Sequence, residues 1–231
     1  MVHIRRTLSR LLACLVVSLL AVPLWAADKA NDDETLRNAT TVLRAMMESK
    51  DVPAGVVAKA DCVIVLPAVK KFAVGVGGSA GRGPMSCRTG SSFDGKWSAP
   101  AMYTIAGASA GLQIGGSSTD YVLLIMAPSA VDKVLKGKVK VGSDMTAAAG
   151  PSGATSTGAE GGADILTYGR SKGLFAGVSL AGSTLDPDSD ANQRLYGAPT
   201  TVESIVRSNA VKITAGGQSL VTLLDSKAAK K

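Results

Sequence analysis

Ser109 lies in Gly107-Ala108-Ser109-Ala110-Gly111, the G-x-S-x-G spacing that lifts a nucleophilic serine onto a strand-to-helix elbow. That chemistry needs a histidine to take the serine proton, and the only histidine in the chain is His3, at the extreme amino terminus. The residues on both sides read as strand, so a hydrolase elbow lacks both its base and its context. Gly90-Ser91-Ser92-Phe93-Asp94-Gly95-Lys96 fits most of a phosphate-binding loop. Its last position is Trp97, where magnesium requires a hydroxyl; Asp94 would repel phosphate, and Pro100 forecloses the helix. A hairpin turn is expected there. Gly75-Val76-Gly77-Gly78-Ser79-Ala80 is a loose dinucleotide fingerprint that opens no helix, which points instead to close packing of backbone. Asp186, Asp188 and Asp190 alternate like the start of a calcium loop, but the sixth and twelfth positions are Ala191 and Gly197 rather than Gly and Glu. A turn with a helix cap is expected. No catalytic residue, metal ligand or cofactor site is assigned.

Basic residues beside glycines are the more useful chemistry. Lys70 and Lys71 precede Phe72, Arg82 stands between Gly81 and Gly83, and Arg170-Ser171-Lys172-Gly173 joins two strand-like runs. Cations next to exposed backbone N–H groups in a Gly-rich turn make a concavity suited to phosphate. Lys70, Lys71, Arg82, Arg170 and Lys172 are therefore the candidate phosphate-binding residues, provided that they gather on one face.

The ends set the setting in which such a site would work. Arg5, Arg6 and Arg10 precede an apolar run from Leu11 to Leu24, and Ala26-Ala27 lead into the charged stretch that opens at Asp28. That is the order of a signal peptide, so residues 1–27 are expected to be removed and residues 28–231 to form one exported domain in the periplasm or cell envelope. Leu11-Leu12-Ala13-Cys14 resembles a lipobox, yet most of the apolar run follows Cys14, which favours an ordinary signal-peptide cysteine over a lipid anchor. Export leaves 22 basic residues against 18 acidic ones, a net charge of +4. That excess is too small for a nucleic-acid-binding composition. Cys62 and Cys87 remain, either as a disulfide stabilising by about 3 kcal/mol in an oxidising compartment or as two small buried residues.

These residues need elements to position them. Asn31 reads as a cap and Leu36, Ala39, Leu43, Met46 and Met47 recur at helical spacing, so a helix is expected over Asp32–Ser49 and a shorter one from Pro53 to Ala60. Cys62–Leu66 reads as a strand stopped by Pro67. Strands are expected over 72–79, 101–108, 112–116, 121–126, 138–141, 165–168 and 174–180, with helices over 128–135, 190–196, 201–207 and 220–227. A Gly/Ala/Ser/Thr loop spans 150–162. The fold class is α+β: a curved, mainly antiparallel or barrel-like sheet with helices at both ends.

Tyr168-Gly169-Arg170-Ser171-Lys172-Gly173-Leu174-Phe175-Ala176-Gly177 resembles the signature of the SYLF domain family. Phe72–Gly78, Trp97–Ala101, Leu112–Gly115, Ala147–Pro151 and Asp190–Asn192 follow in the matching order, so the resemblance covers most of Met46 to Gly197. It implies a lipid-binding module rather than an enzyme, with Arg170 and Lys172 as lipid-binding residues in the family's basic turn and the same role extended to Lys70, Lys71 and Arg82. It also implies phosphoinositide and actin binding for eukaryotic members. With an export signal, bacterial acidic phospholipids are the expected partners and actin is not. The amphipathic helix at 32–49 either adds membrane contact or docks on the core. The alternative to lipid binding is an envelope scaffold or adhesion protein with an exposed apolar patch, such as the Leu36/Leu43/Met46 stripe.

Overall fold

The computed structural model describes residues 24–74, 76–110, 115–151, 162–171, 174–176, 180–197, 200–207 and 211–229. The chain opens with α1 (Leu24–Glu48) and α2 (Ala54–Val57). Four long strands follow: β1 (Cys62–Val74), β2 (Val76–Cys87), β3 (Ala101–Ala110) and β4 (Gly115–Ile125). After α3 (Pro128–Lys136) come β5 (Val139–Lys140), β6 (Ala147–Ala149), β7 (Ile165–Ser171), β8 (Leu174–Ala176) and β9 (Thr184–Pro187). The chain closes with α4 (Ser189–Tyr196), α5 (Val202–Arg207) and α6 (Ala215–Lys227). The strands form one curled half-barrel sheet in the order β5-β9-β3-β2-β1-β4-β7-β6, with β8 also paired to β7. Among the described strands every pairing is antiparallel except β6 on β7. The α+β class with helices at both ends is the one expected from the sequence.

The central strands are covered on both faces, which is why Cys62–Leu66 and Tyr121–Ile125 read as unbroken apolar runs. Alternation sends Cys62, Ile64, Leu66, Tyr121 and Leu123 to one face, where α3 and α5 pack Val131, Val134 and Ile205 against them. Val63, Val65, Val122 and Leu124 face the other way, under Leu43 and Met46 of α1 and Leu220 and Leu224 of α6. The Leu36/Leu43/Met46 stripe is fully buried, so α1 is docked on the sheet and the stripe is no exposed patch.

Several expected boundaries are corrected. Helix α1 starts at Leu24, so Asn31 is inside it rather than its cap, and Asp32 points into the protein at zero exposure. Pro67 does not stop β1. The register shifts between Leu66 and Val69, Ala68 adopts φ +51°, and its N–H donates to Asp120 Oδ1 at 2.8 Å. A bulge thus absorbs the proline and keeps Leu66 and Val69 on one face. The run 72–79 is two strands, because Val74 pairs with Val76 across a reversal. Gly81-Arg82-Gly83 is no turn but the middle of β2. A Cβ on Gly83 would lie 1.9 Å from the Val65 carbonyl oxygen, so glycine is required by the closeness of β1. The expected loop at 150–162 and the strand end at 177–179 fall almost wholly outside the described residues.

Cys62 and Cys87 face each other across β1 and β2 and form a disulfide. The nearby hairpin at 88–97 is closed by an Arg88–Trp97 bridge. Arg88 is buried, donates to the carbonyls of Ala60, Gly95, Ala58 and Ala228, and stacks 4.3 Å from the Trp97 ring centroid. It holds the end of α6 against this hairpin.

Candidate membrane-facing surface

The two arginines singled out by sequence are tied to α1. Arg82 Nη2 contacts Asp32 Oδ1, and Arg194 of α4 closes on Asp32 Oδ2 at 2.7 Å. Asp188, whose carboxylate caps α4 through the Ala191 N–H, lies 4.0 Å from Arg82 Nη1. Arg170 Nε donates to Asp51 Oδ2 at 3.0 Å, and its Nη2 reaches the Ala45 carbonyl, Ser49 Oγ and the same carboxylate. Asp32 lies about two turns inside α1 and Ser49 just past its carboxyl end, about 25 Å apart at the α-helical rise. Arg82 and Arg170 therefore hold α1 at two separate places and do not meet. Lys172 lies outside the described residues.

Lys70 and Lys71 are placed differently. Lys70 is exposed on the α1 side of the sheet, with Nζ 3.4 Å from Ser118 Oγ. Lys71 faces the other way, its Nζ 5.2 Å from the Tyr121 ring centroid. Register carries the position of Lys70 across six strands. Lys70 pairs with Ala80, Ala80 with Ala106, Ala106 with Thr184 and Thr184 with Lys140, while Ser118 is the partner of Lys70 on its other side. Strand β5 ends at this row, β9 begins at it, and β7 ends at Ser171, opposite Thr119 and one residue short of it. Among the described residues only β1 to β4 continue beyond. No charged residue occurs from Phe72 to Gly81 or from Ile105 to Thr119. The described ends of these four strands past Lys71 are thus uncharged, and lysines mark the row at their base.

Lys140 was missed by the sequence reading, as were Lys133, Lys136 and Lys138. All four are exposed along α3 and β5. Their density, four lysines in eight residues, was a readable signal. Acids close to the row are already engaged. Asp120 accepts from Ala68, and Asp186 lies 3.8 Å from Lys138. Asp144 accepts from the Lys140 N–H at 2.7 Å, which holds its carboxyl below the usual range.

A second concavity lies between α1 and α6, a cleft of about 520 Å³ lined by Arg44, Gln218, Ser219, Thr222, Leu223 and Ser226. Among the described residues Arg44 makes no ion pair. Among them, too, no cluster of three His, Cys, Asp or Glu side chains is placed to hold a metal ion. Burial pushes the phenols of Tyr103, Tyr168 and Tyr196 well up, so these tyrosines are poor proton carriers near neutrality.

The described residues thus form one sheet-and-helix module with lysines at the base of uncharged strand ends. Residues 106–227 match the family model described as Ysc84, Las17-binding protein actin regulator. The match covers more than half of the chain, and the chain belongs to the Ysc84 family, the SYLF family that its sequence strings resemble. Protein YSC84 of Saccharomyces cerevisiae is 36% identical over 157 residues, which is 65% of this chain and 33% of that protein. Human SH3 domain-containing YSC84-like protein 1 is 34% identical over 196 residues, or 83% of this chain and 56% of that protein. SH3 domain-containing protein PJ696.02 of Schizosaccharomyces pombe is 38% identical over 141 residues, 58% of this chain and 32% of that protein. The chain thus spans between a third and just over half of the length of these relatives. The family's description as an actin regulator lends no support to setting actin aside, as the sequence reading did.

Proposed function

We propose that this chain is a peripheral membrane-binding module that recognises surfaces rich in acidic phospholipid, and that it works in the periplasm or cell envelope after export. The observation that carries the reading is the row of paired residues with Lys70 near one end and Lys140 at the other, at the base of the uncharged ends of four strands. Lys71 adds a cation on the opposite face of the same strand, and Lys172 follows β7's last residue in the chain. Each lysine near an anionic surface contributes about 1 kcal/mol. Lys70, Lys71 and Lys140 together then account for about 3 kcal/mol, a factor of about 100 in affinity. Arg82 and Arg170 are left out of this sum because aspartates already neutralise them.

The test is co-sedimentation of the chain from Asp28 onward with vesicles of graded phosphatidylglycerol content at two salt concentrations. Starting at Asp28 keeps the apolar run at 11–24 from binding lipid by itself. Binding that grows with anionic lipid, weakens in salt and falls in the Lys70→Ala/Lys71→Ala/Lys140→Ala variant supports the reading. Binding indifferent to lipid charge, or none, overturns it. Export itself is tested by fractionating cells that express the full chain, where a cytoplasmic product still carrying residues 1–27 would refute it.

A second reading is a protein-binding role, and the family description favours it. Here the exposed lysines of α3 would contact an acidic protein surface such as an actin filament. Filament co-sedimentation of the same chain, lost on Lys133→Glu/Lys136→Glu substitution while vesicle binding persists, would separate the two.

A further inference from the structure

We infer that the four-stranded projection beyond the Lys70 row inserts into the membrane interface, so that the module is held by strand ends seated at the headgroup–acyl boundary as well as by charge. This rests on the membrane reading above. The first ground is composition by position. Among the described residues the row is where the flanking strands stop, and past Lys71 the strands that continue carry no charge, with Phe72, Val74 and Val76 in the β1–β2 hairpin. The chain as a whole is 19% charged, so uncharged ends on four strands that lie side by side in the order β3-β2-β1-β4 are a distinct feature.

The second ground is hydrogen bonding. Within the projection β1 pairs with both β2 and β4, and β2 also with β3, so the inner strands bring their backbone partners with them. The outer sides differ. The β3–β9 pairing stops at Ala106 and the β4–β7 pairing at Thr119, so among the described pairings β3 above the row has β2 alone and β4 has β1 alone. Two open edges cannot be desolvated in the hydrocarbon core, which limits the projection to the interface rather than a crossing. Its reach agrees with that depth. Lys70 to Val74 is four residues, about 13 Å at the rise of a strand. With the lysines among the headgroups, the end of the hairpin meets the acyl boundary, where interfacial segments sit about 5–10 Å deep.

The third ground is charge complementarity, which selects the occupant. Ala80, Ala106, Ala108, Gly116, Ser117 and Ser118 are exposed around the base. A second copy of the chain placed there would bring its own lysines against Lys70, Lys71 and Lys140. An anionic bilayer pairs with all of them.

The experiment places a tryptophan at Ala108, an exposed β3 position paired with Gly78, and as control at exposed Gln218 on α6. In the chain from Asp28 onward, which leaves out Trp25, Trp97 is buried and gives a constant background. The probe is a phosphatidylglycerol/phosphatidylcholine vesicle with bromine atoms in the acyl chains. Loss of Ala108→Trp emission on brominated vesicles, with Gln218→Trp unaffected, is the expected result. An Ala108→Glu variant should weaken vesicle binding roughly tenfold at unchanged unfolding temperature. Sedimentation of the protein with vesicles without quenching at Ala108→Trp overturns insertion and leaves the headgroup reading in place. No sedimentation with any vesicle overturns both. A blue shift of Ala108→Trp that rises with protein concentration in the absence of lipid overturns insertion in favour of self-association.

Discussion

Arg82, in the middle of β2, reaches the fully buried carboxylate of Asp32 on α1, and Arg194 of α4 holds the other oxygen of that carboxylate at 2.7 Å. A carboxylate at zero exposure is tolerated only because two guanidinium groups replace its water. The contact ties together three elements that are far apart in the chain, and it sets the angle at which α1 crosses the sheet. Arg82→Ala is expected to cost about 3 kcal/mol, the low end for breaking a buried pair because Arg194 remains. Thermal unfolding should shift down by about 6–12 °C. An unchanged unfolding temperature would show that the contact does not carry α1.

At the other end of α1, Arg170 is half of a lock with Asp51 and Ser49. Replacing it with alanine should lower stability by about 1–2 kcal/mol, because the pair is partly exposed and partly screened. Vesicle binding of the folded fraction should stay near that of the parent chain. Loss of vesicle binding in a variant of undiminished stability would instead place Arg170 at the lipid, where the family's basic turn suggests.

The disulfide between Cys62 and Cys87 closes a loop of 25 residues in the pairing of the two central strands. Reduction, or a Cys62→Ala/Cys87→Ala chain, should lose about 3 kcal/mol on the loop-entropy model. Denaturant titrations with and without reductant measure it, with an equal midpoint as the contrary result.

Two glycines should respond in opposite directions. Gly83→Ala puts a methyl 1.9 Å from the Val65 carbonyl and must push β1 and β2 apart, whereas Gly55 in α2 has nothing within 4 Å. The first is expected to destabilise by several kcal/mol and the second to stabilise by about 0.5–1 kcal/mol through the unfolded chain. Paired melting curves decide it.

Alkaline pH should weaken the fold through its tyrosines. Burial raises the phenols of Tyr103, Tyr168 and Tyr196 in the folded protein, first by desolvation and, for Tyr103 and Tyr196, also through Asp186 and Asp33 respectively. In the unfolded chain they ionise near pH 10, so unfolding releases protons above that point. Stability is then full below about pH 10 and falls as pH rises further. A denaturation midpoint that stayed flat into that range would contradict the assignment.

Much of the fold was legible in the residues. Leu36, Ala39, Leu43 and Met46 announced a helix, and four of the core's strand runs were read from apolar stretches with turn signals between them. The errors have local causes. Asn31 had the type and spacing of a cap, but α1 runs past it because Asp32 is needed within the helix as a buried ion-pair partner. Pro67 looked like a strand end, yet a bulge absorbed it. Gly81-Arg82-Gly83-Pro84 had the composition of a turn, and its glycines instead answer the close approach of β1 at Val65 and Val69.

The candidate site divides in the same way. Residue types alone determined that the chain has no histidine base outside its first few positions, that its basic residues sit beside glycines, and that its signature strings are those of the Ysc84 family. Tertiary structure alone decided what each basic residue does. Arg82 was drawn to a carboxylate on α1 and Arg170 to one just past its end, across 50 and 119 positions of chain respectively, while Lys70 and Lys140 were brought onto one row through three intervening strands. Periodicity and capping act within a few residues, so a short window of sequence displays them. Ion pairing and register depend on which distant segments the core brings together, and a one-residue slip of any strand would have moved those lysines to another row and another face.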